Sequence, residues 1–187
     1  MAVLPLVENL IGPDAMKMGD VILTMAGKTV EVYNTDAEGR LILCDALTCA
    51  QRAGAGTVVD MATLTYGAQK ALGDGVGAVF CSDEALAARV AEDAERLGEP
   101  LWRMTLHRRY REALGWSEYA DLANYAPGYA ASACTAAAFL EAFIEPGTRW
   151  AHIDIVGPAV QRGEGPRGCK GATGFGLRLL ASLAEQI

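Results

Sequence analysis

Short apolar runs alternate along this chain with longer segments of helical character, and that alternation restricts it to an α/β layered fold. Val21-Ile22-Leu23-Thr24-Met25 is a compact apolar run between Gly19-Asp20 and Gly27-Lys28. Thr29-Val30-Glu31-Val32-Tyr33 alternates polar and apolar residues, which predicts a half-exposed strand paired with the first as a hairpin. Thr57-Val58-Val59-Asp60-Met61, Gly77-Ala78-Val79-Phe80 and the stretch from Trp150 to Val156 read as further strands. Helices are expected at residues 41–52, 83–97, 105–113, 132–144 and 175–185. The second has the clearest ends, with Ser82 as expected N-cap, Asp83 and Glu84 in the first turn, and Gly98 and Pro100 beyond it. The glycine-rich stretch 163–176 is expected to be a long loop. The expected fold is a three-layer α/β/α domain with a mixed β-sheet, incomplete at its N-terminal side. The chain opens at once on apolar residues, Leu4-Pro5-Leu6-Val7, with no introductory element for them to pack on.

A chain of 187 residues is long enough to bury a proper core, and 51% hydrophobic against 21% charged residues places it among globular proteins. The net charge of -7 argues against a nucleic-acid partner, which needs clustered Lys and Arg. The basic cluster His107-Arg108-Arg109-Tyr110-Arg111 adjoins Glu112 and reads as a solvated helix face. Five cysteines, Cys44, Cys49, Cys81, Cys134 and Cys169, form no CxxC pair and read as reduced thiols of a cytoplasmic protein. The two histidines lie far from any cysteine pair, which leaves no structural zinc motif. No secretory leader is expected, and the apolar run at residues 129–144 is too short and too polar to span a bilayer.

The chemistry concentrates in Asn34-Thr35-Asp36-Ala37-Glu38-Gly39-Arg40-Leu41. Two carboxylates and a guanidinium recur at i, i+2 and i+4, and in extended backbone they share one face. Carboxylates so placed repel unless a cation lies between them, and hard oxygen donors suit divalent metals. Arg40 enters the first turn of the following helix, where its charge makes sense if an anion docks there. The plain reading, a polar strand-to-helix turn with a surface Asp–Arg pair, fits the spacing equally. Other motifs fail: Gly168-Cys169-Lys170-Gly171 lacks the Walker Ser or Thr, and neither Ser117 nor Ser132 has a nucleophile-elbow setting. His152 alternates with Asp154 on a strand, and the two read as a buried hydrogen-bonded couple rather than a catalytic dyad.

The octapeptide at residues 34–41 resembles the signature of the leucine aminopeptidase (cytosol aminopeptidase) family. The resemblance extends through Leu6-Val7-Glu8-Asn9, Met18-Gly19-Asp20-Val21, Asp60-Met61-Ala62-Thr63-Leu64-Thr65, Ala120-Asp121-Leu122-Ala123-Asn124, Thr135-Ala136-Ala137-Ala138-Phe139-Leu140 and Gly171-Ala172-Thr173-Gly174-Phe175-Gly176. It implies that residues 1–187 are the C-terminal portion of a metallo-aminopeptidase catalytic domain. By that resemblance Asp36 binds one of two divalent metal ions (Mn²⁺, Zn²⁺ or Co²⁺) and Glu38 bridges both. Arg40 helps hold a bicarbonate or the tetrahedral intermediate, and Thr63, Leu64 and Thr65 line the substrate site. The implied reaction is hydrolysis of an N-terminal peptide bond by a metal-bridged water, with bicarbonate as general base. Peptide substrates and a cytoplasmic homo-oligomer, a hexamer, are the implied partners and assembly.

Two departures qualify these expectations. The family's remaining ligands, a Lys and two Asp, precede the signature, and the acids before Asn34 (Glu8, Asp14, Asp20 and Glu31) match none of their motifs. With about two of five ligand side chains, this chain alone is expected to be inactive. Tyr66 follows Thr65 where the family continues with Gly-Ala, which bears on the pocket wall. The competing expectation is a non-catalytic structural or assembly module that keeps the aminopeptidase fold. A calcium-binding or redox module ranks behind both.

Overall fold

A computed structural model describes residues 1–164 and 170–186. Along the chain, β1 (Val21–Leu23), β2 (Thr29–Glu31) and α1 (Gly39–Arg52) come first. β3 (Thr57–Ala62), α2 (Tyr66–Leu72), β4 (Gly77–Cys81), α3 (Glu84–Leu97) and β5 (Leu101–Arg103) follow. Next are α4 (Arg108–Glu112), β6 (Leu122–Ala123) and α5 (Ser132–Glu141). β7 (Arg149–Asp154), β8 (Val160–Gln161), β9 (Gly171–Ala172) and α6 (Leu177–Gln186) close the chain. The fold is mixed α/β, and it divides into two compact units. The first comprises Met1–Gly56, His107–Ala130 and Thr135–Thr148; the second comprises Thr57–Leu106, Ala131–Cys134 and Arg149–Ile187.

In the first unit β1 and β2 form the expected antiparallel hairpin, with Ile22 opposite Val30. Its turn is tied by Thr24, whose N–H and hydroxyl both donate to the Lys28 carbonyl, at 2.9 and 2.8 Å. β6 then adds to β2 in parallel, Val30 facing Leu122. Asp121 anchors this junction by accepting from both the N–H and the hydroxyl of Thr29, each at 2.8 Å. Gln51 near the end of α1 donates to the Phe143 carbonyl at 2.9 Å, and its own carbonyl accepts from the Glu145 N–H. The basic cluster is the expected solvated face: α4 exposes Arg108, Arg109 and Arg111, and Arg108 pairs with Glu112 at 3.3 Å.

The second unit is built on a mixed sheet in the order β3-β7-β4-β5, with β3 parallel to β7 and β4 antiparallel to it. Because successive side chains on a strand point to opposite faces, β7 presents Ala151 and Ile153 to one side and Trp150, His152 and Asp154 to the other. Ala151 and Ile153 join Val79, Cys81, Leu86, Val90, Leu179 and Leu183 in an apolar core shared with α3 and α6. Each fully buried Leu or Val side chain there contributes about 1.5–3 kcal/mol. The N-cap of α3 is Asp83 rather than Ser82: the Asp83 carboxylate accepts from the Leu86 N–H at 2.7 Å. Its C-terminus turns through Gly98 at φ 64°, a conformation that favours glycine. The next residue, Glu99, is buried and accepts from the Leu179 N–H at 3.1 Å, which caps α6.

Several expectations need correction. Helix 105–113 contracts to α4, where the His107 ring caps the Arg109 N–H at 3.2 Å. α2 and β5 are additional elements, beyond those the sequence pattern predicts. The stretch 163–176 is not wholly loop, since it contains β9, which pairs antiparallel with the preceding β8; residues 165–169, Cys169 among them, lie outside the described residues. Cys44, Cys81 and Cys134 are buried and Cys49 is exposed. Burial, reinforced by Asp45, pushes the Cys44 thiol up to about 12.

Candidate functional site

The octapeptide is a turn, not an extended strand. The Ala37 N–H donates to the Asn34 carbonyl at 3.1 Å, and the Asn34 side chain accepts from the Asp36 N–H at 3.0 Å. Such Asx turns divert the backbone from a ladder. Asp36 is consequently exposed, Ala37 buried, Glu38 half-buried and Arg40 buried. The expectation that the three charged side chains share one face fails, because the segment never takes up the period of a strand. Glu38 occupies the N-cap of α1 without capping it and accepts instead from the Asn9 side-chain amide at 3.3 Å.

Arg40 is only 4% exposed. Its Nη1 donates to the Asn124 carbonyl at 2.9 Å, and its guanidinium lies 6.0 Å from the centre of the Phe139 ring. Such a placement keeps a positive charge fixed at the N-terminal end of α1, where backbone N–H groups already favour an anion. Asn124 is fully buried and gathers the loop around itself. Its Oδ1 accepts from the N–H of Tyr33 at 2.9 Å and of Asn34 at 3.2 Å. Its Nδ2 donates to the carbonyls of Asn34 at 2.7 Å and Ala37 at 3.2 Å.

Thr63, Leu64 and Thr65 belong to the second unit and follow β3 directly. Thr63 is exposed and Thr65 buried. The Thr65 hydroxyl donates to Asp154 at 2.7 Å and accepts from the Ala68 N–H at 3.2 Å, which caps α2. Asp154 also accepts from the Leu64 N–H at 3.0 Å, so one buried carboxylate fixes the segment. Burial pushes the Asp154 carboxyl up from its ordinary value, and these hydrogen bonds and His152 only partly oppose it. Tyr66 is exposed in the first turn of α2. The His152 Nδ1 lies 2.6 Å from Asp60, whose second oxygen accepts from the Trp150 indole at 2.7 Å. Asp60 and His152 are register partners across β3 and β7, a relation that spacing within β7 alone does not reveal.

Asp36 and Glu38 offer hard oxygen donors, the type that divalent cations take. Among the described residues, however, no group of three or more His, Cys, Asp and Glu side chains is arranged to hold a metal ion. A complete two-metal centre therefore does not fit the described residues of this chain by themselves, since each ion needs about four to six ligands.

Mixed α/β architecture and an acidic signature loop at the head of a helix define a class that sequence comparison identifies. The chain matches the cytosol aminopeptidase family, catalytic domain, over residues 1–181, and it belongs to that family. It is 46% identical over 187 residues to the probable cytosol aminopeptidase of Nitratidesulfovibrio vulgaris, covering 100% of this chain and 36% of that protein. It is 47% identical over 186 residues to the probable cytosol aminopeptidase of Chlorobaculum tepidum, covering 99% of this chain and 36% of that one. Among solved structures it is similar to a mutant of tomato leucine aminopeptidase, with a TM-score of 0.86 and 42% identity over 92% of this chain and 33% of that chain. The chain thus spans little more than a third of the length of the curated relatives. Among the described residues no helix is long and apolar enough to cross a membrane.

Proposed function

We propose that this chain is part of a metal-dependent aminopeptidase that releases N-terminal residues, leucine-like ones included, from peptides. The observation that carries the reading is the turn at residues 34–40, which places two carboxylates beside the start of α1 with the Arg40 guanidinium buried and anchored at the same helix end. In this reading Asp36 and Glu38 are ligands of divalent ions, Mn²⁺ or Zn²⁺, together with donors outside the described residues. Arg40 holds an anion, bicarbonate or the oxyanion that develops at the substrate carbonyl. Thr63, Leu64 and Thr65 line the substrate site, where Asp154 keeps the segment in place. The working assembly is a cytoplasmic homo-oligomer, as the names of the relatives suggest for its compartment.

Two ligands do not make a tight centre, so the chain alone is expected to be inactive. Titration with Mn²⁺ and Zn²⁺ by calorimetry, with leucine p-nitroanilide hydrolysis assayed in the same samples, tests this against a Glu38→Ala variant. Weak binding, lowered by roughly tenfold or more in the variant, with no turnover is the expected result. Turnover abolished by Glu38→Ala would mean that this chain completes the site by itself. Binding indifferent to Glu38→Ala would sink the metal assignment. It would favour the second reading, a non-catalytic assembly module, which the lack of a third donor among the described residues also supports.

A further inference from the structure

We propose that Asn124 is the positioning residue of the acidic loop, holding the backbone around Asp36, Ala37 and Glu38 through its side-chain amide and Arg40 through its carbonyl. The proposal rests on the reading above, in which that loop meets a cation. It deepens the reading by naming what fixes the loop.

The geometry is specific to an amide. Asn124 is fully buried, and its side chain makes four hydrogen bonds, two accepted and two donated, all with backbone between Tyr33 and Ala37. An Asn amide has two donors and one oxygen acceptor, and all of that capacity is committed here. One donated bond ends on Ala37, the residue between the two carboxylates. A turn of this kind has few ladder bonds of its own, so its backbone depends on such side-chain partners to hold one conformation. Asn124 is itself fixed by β6: its N–H donates to the Glu31 carbonyl at 2.9 Å, continuing the β2–β6 pairing by one residue. A buried, saturated group supported by sheet backbone is what holds ligating side chains within the narrow tolerance that a site needs. The carbonyl of the same residue takes the Arg40 guanidinium, so one residue links both signs of charge.

The test uses the whole chain with Asn124→Ala and Asn124→Asp, Glu38→Ala as the probe of the cation reading, and Thr24→Ala as a control that weakens the first unit at the β1–β2 turn. Hydrogen exchange is followed by NMR at the amides of Tyr33, Asn34 and Ala37, with amides of α1 and α3 as references. Mn²⁺ binding is followed by water-proton relaxation. In Asn124→Ala the three loop amides should exchange at least about tenfold faster while the references hold. Asn124→Asp keeps the shape but turns a carboxylate oxygen toward two carbonyls. Its loop protection should fall at neutral pH and recover below about pH 5, where the acid regains an O–H donor. Asn124→Ala should not recover, and Thr24→Ala should leave the loop amides as in wild type.

Unchanged loop exchange in Asn124→Ala, or exchange that rises evenly across the first unit, would overturn the proposal. So would Mn²⁺ binding that Glu38→Ala weakens but neither Asn124 variant does. If Glu38→Ala leaves Mn²⁺ binding unchanged, the cation reading fails, and the exchange data alone decide whether Asn124 orders the loop.

Discussion

Asp154 illustrates how a single buried carboxylate ties local structure to pH. It fixes Leu64 and Thr65, and burial holds its carboxyl above the ordinary value of 3.8. The folded chain therefore binds this proton more tightly than the unfolded chain does. By linkage, stability attributable to Asp154 is greatest near and below the ordinary value and declines as pH rises through the raised one. Glu84 and Asp121 act in the opposite sense, held low by Arg103 and by Thr29 respectively, so the total profile mixes signs. Comparison with Asp154→Asn isolates the residue. In urea unfolding between about pH 4 and about pH 8, wild type should lose ground to the variant as pH rises. A difference between the two that stays constant with pH would refute the assignment.

At this scale the sequence was legible in part. The octapeptide, with Asp36, Glu38 and Arg40, stood out from spacing and composition alone. The shared face did not survive, because the Asn34 side chain bends the backbone into a turn. Asn124 and Asp154 went unassigned for a different reason. Their partners are 84 to 93 and 89 to 90 residues away, apart from the Asp154 bond to Val156, and no local pattern encodes such a distance. The one local signal for Asn124 was a polar residue closing a short apolar run.

Elements were read best where periodicity was long or bounded by punctuation. α1, α3 and the β1–β2 hairpin appear close to their expected limits, since each is bracketed by glycine or by capping residues. α2 has little periodicity to show in seven residues, and its start signal, the Thr65 hydroxyl, lies at the end of the strand-following motif 60–65. β6, β8 and β9 are two residues each, too short for any alternation to register. Between elements, one glycine is dictated by a close backbone approach. A Cβ on Gly157, just beyond β7, would stand 2.2 Å from the Gly73 carbonyl oxygen that follows α2. The atoms it would meet are all backbone, so no side-chain rotation relieves the clash. Gly157→Ala is expected to destabilise the second unit by about 1–3 kcal/mol in urea unfolding. Gly56→Ala, with nothing within 4 Å, serves as the control and should be close to neutral. Equal stability of the two variants would contradict this packing.

For the molecule as a whole, the described residues leave apolar surface open along the first unit. Leu4, Leu6, Leu10 and Ile11 are exposed, and so are Val21 and Leu23 on β1, which is an edge of its sheet. An edge strand with exposed apolar side chains invites pairing, and contiguous apolar surface invites association. The chain should self-associate at micromolar concentration, and Leu6→Glu with Ile11→Glu should shift it toward monomer in multi-angle light scattering. A monodisperse monomer of the wild-type chain would count against this. The α/β class was legible at this scale from alternation alone. The division into two units was not, because each unit is assembled from three separated stretches of sequence.

That interleaving has a consequence for the newborn chain. β2 emerges from the ribosome long before β6, and Thr29 and Asp121 are 92 residues apart. At about 5–20 residues/s, roughly 5 to 20 s of synthesis separate the acidic turn from the residue that will organise it. During that interval the turn has its carboxylates but not its clasp. Site formation is therefore a late event in biosynthesis, timed by the arrival of Asn124 rather than of the signature itself.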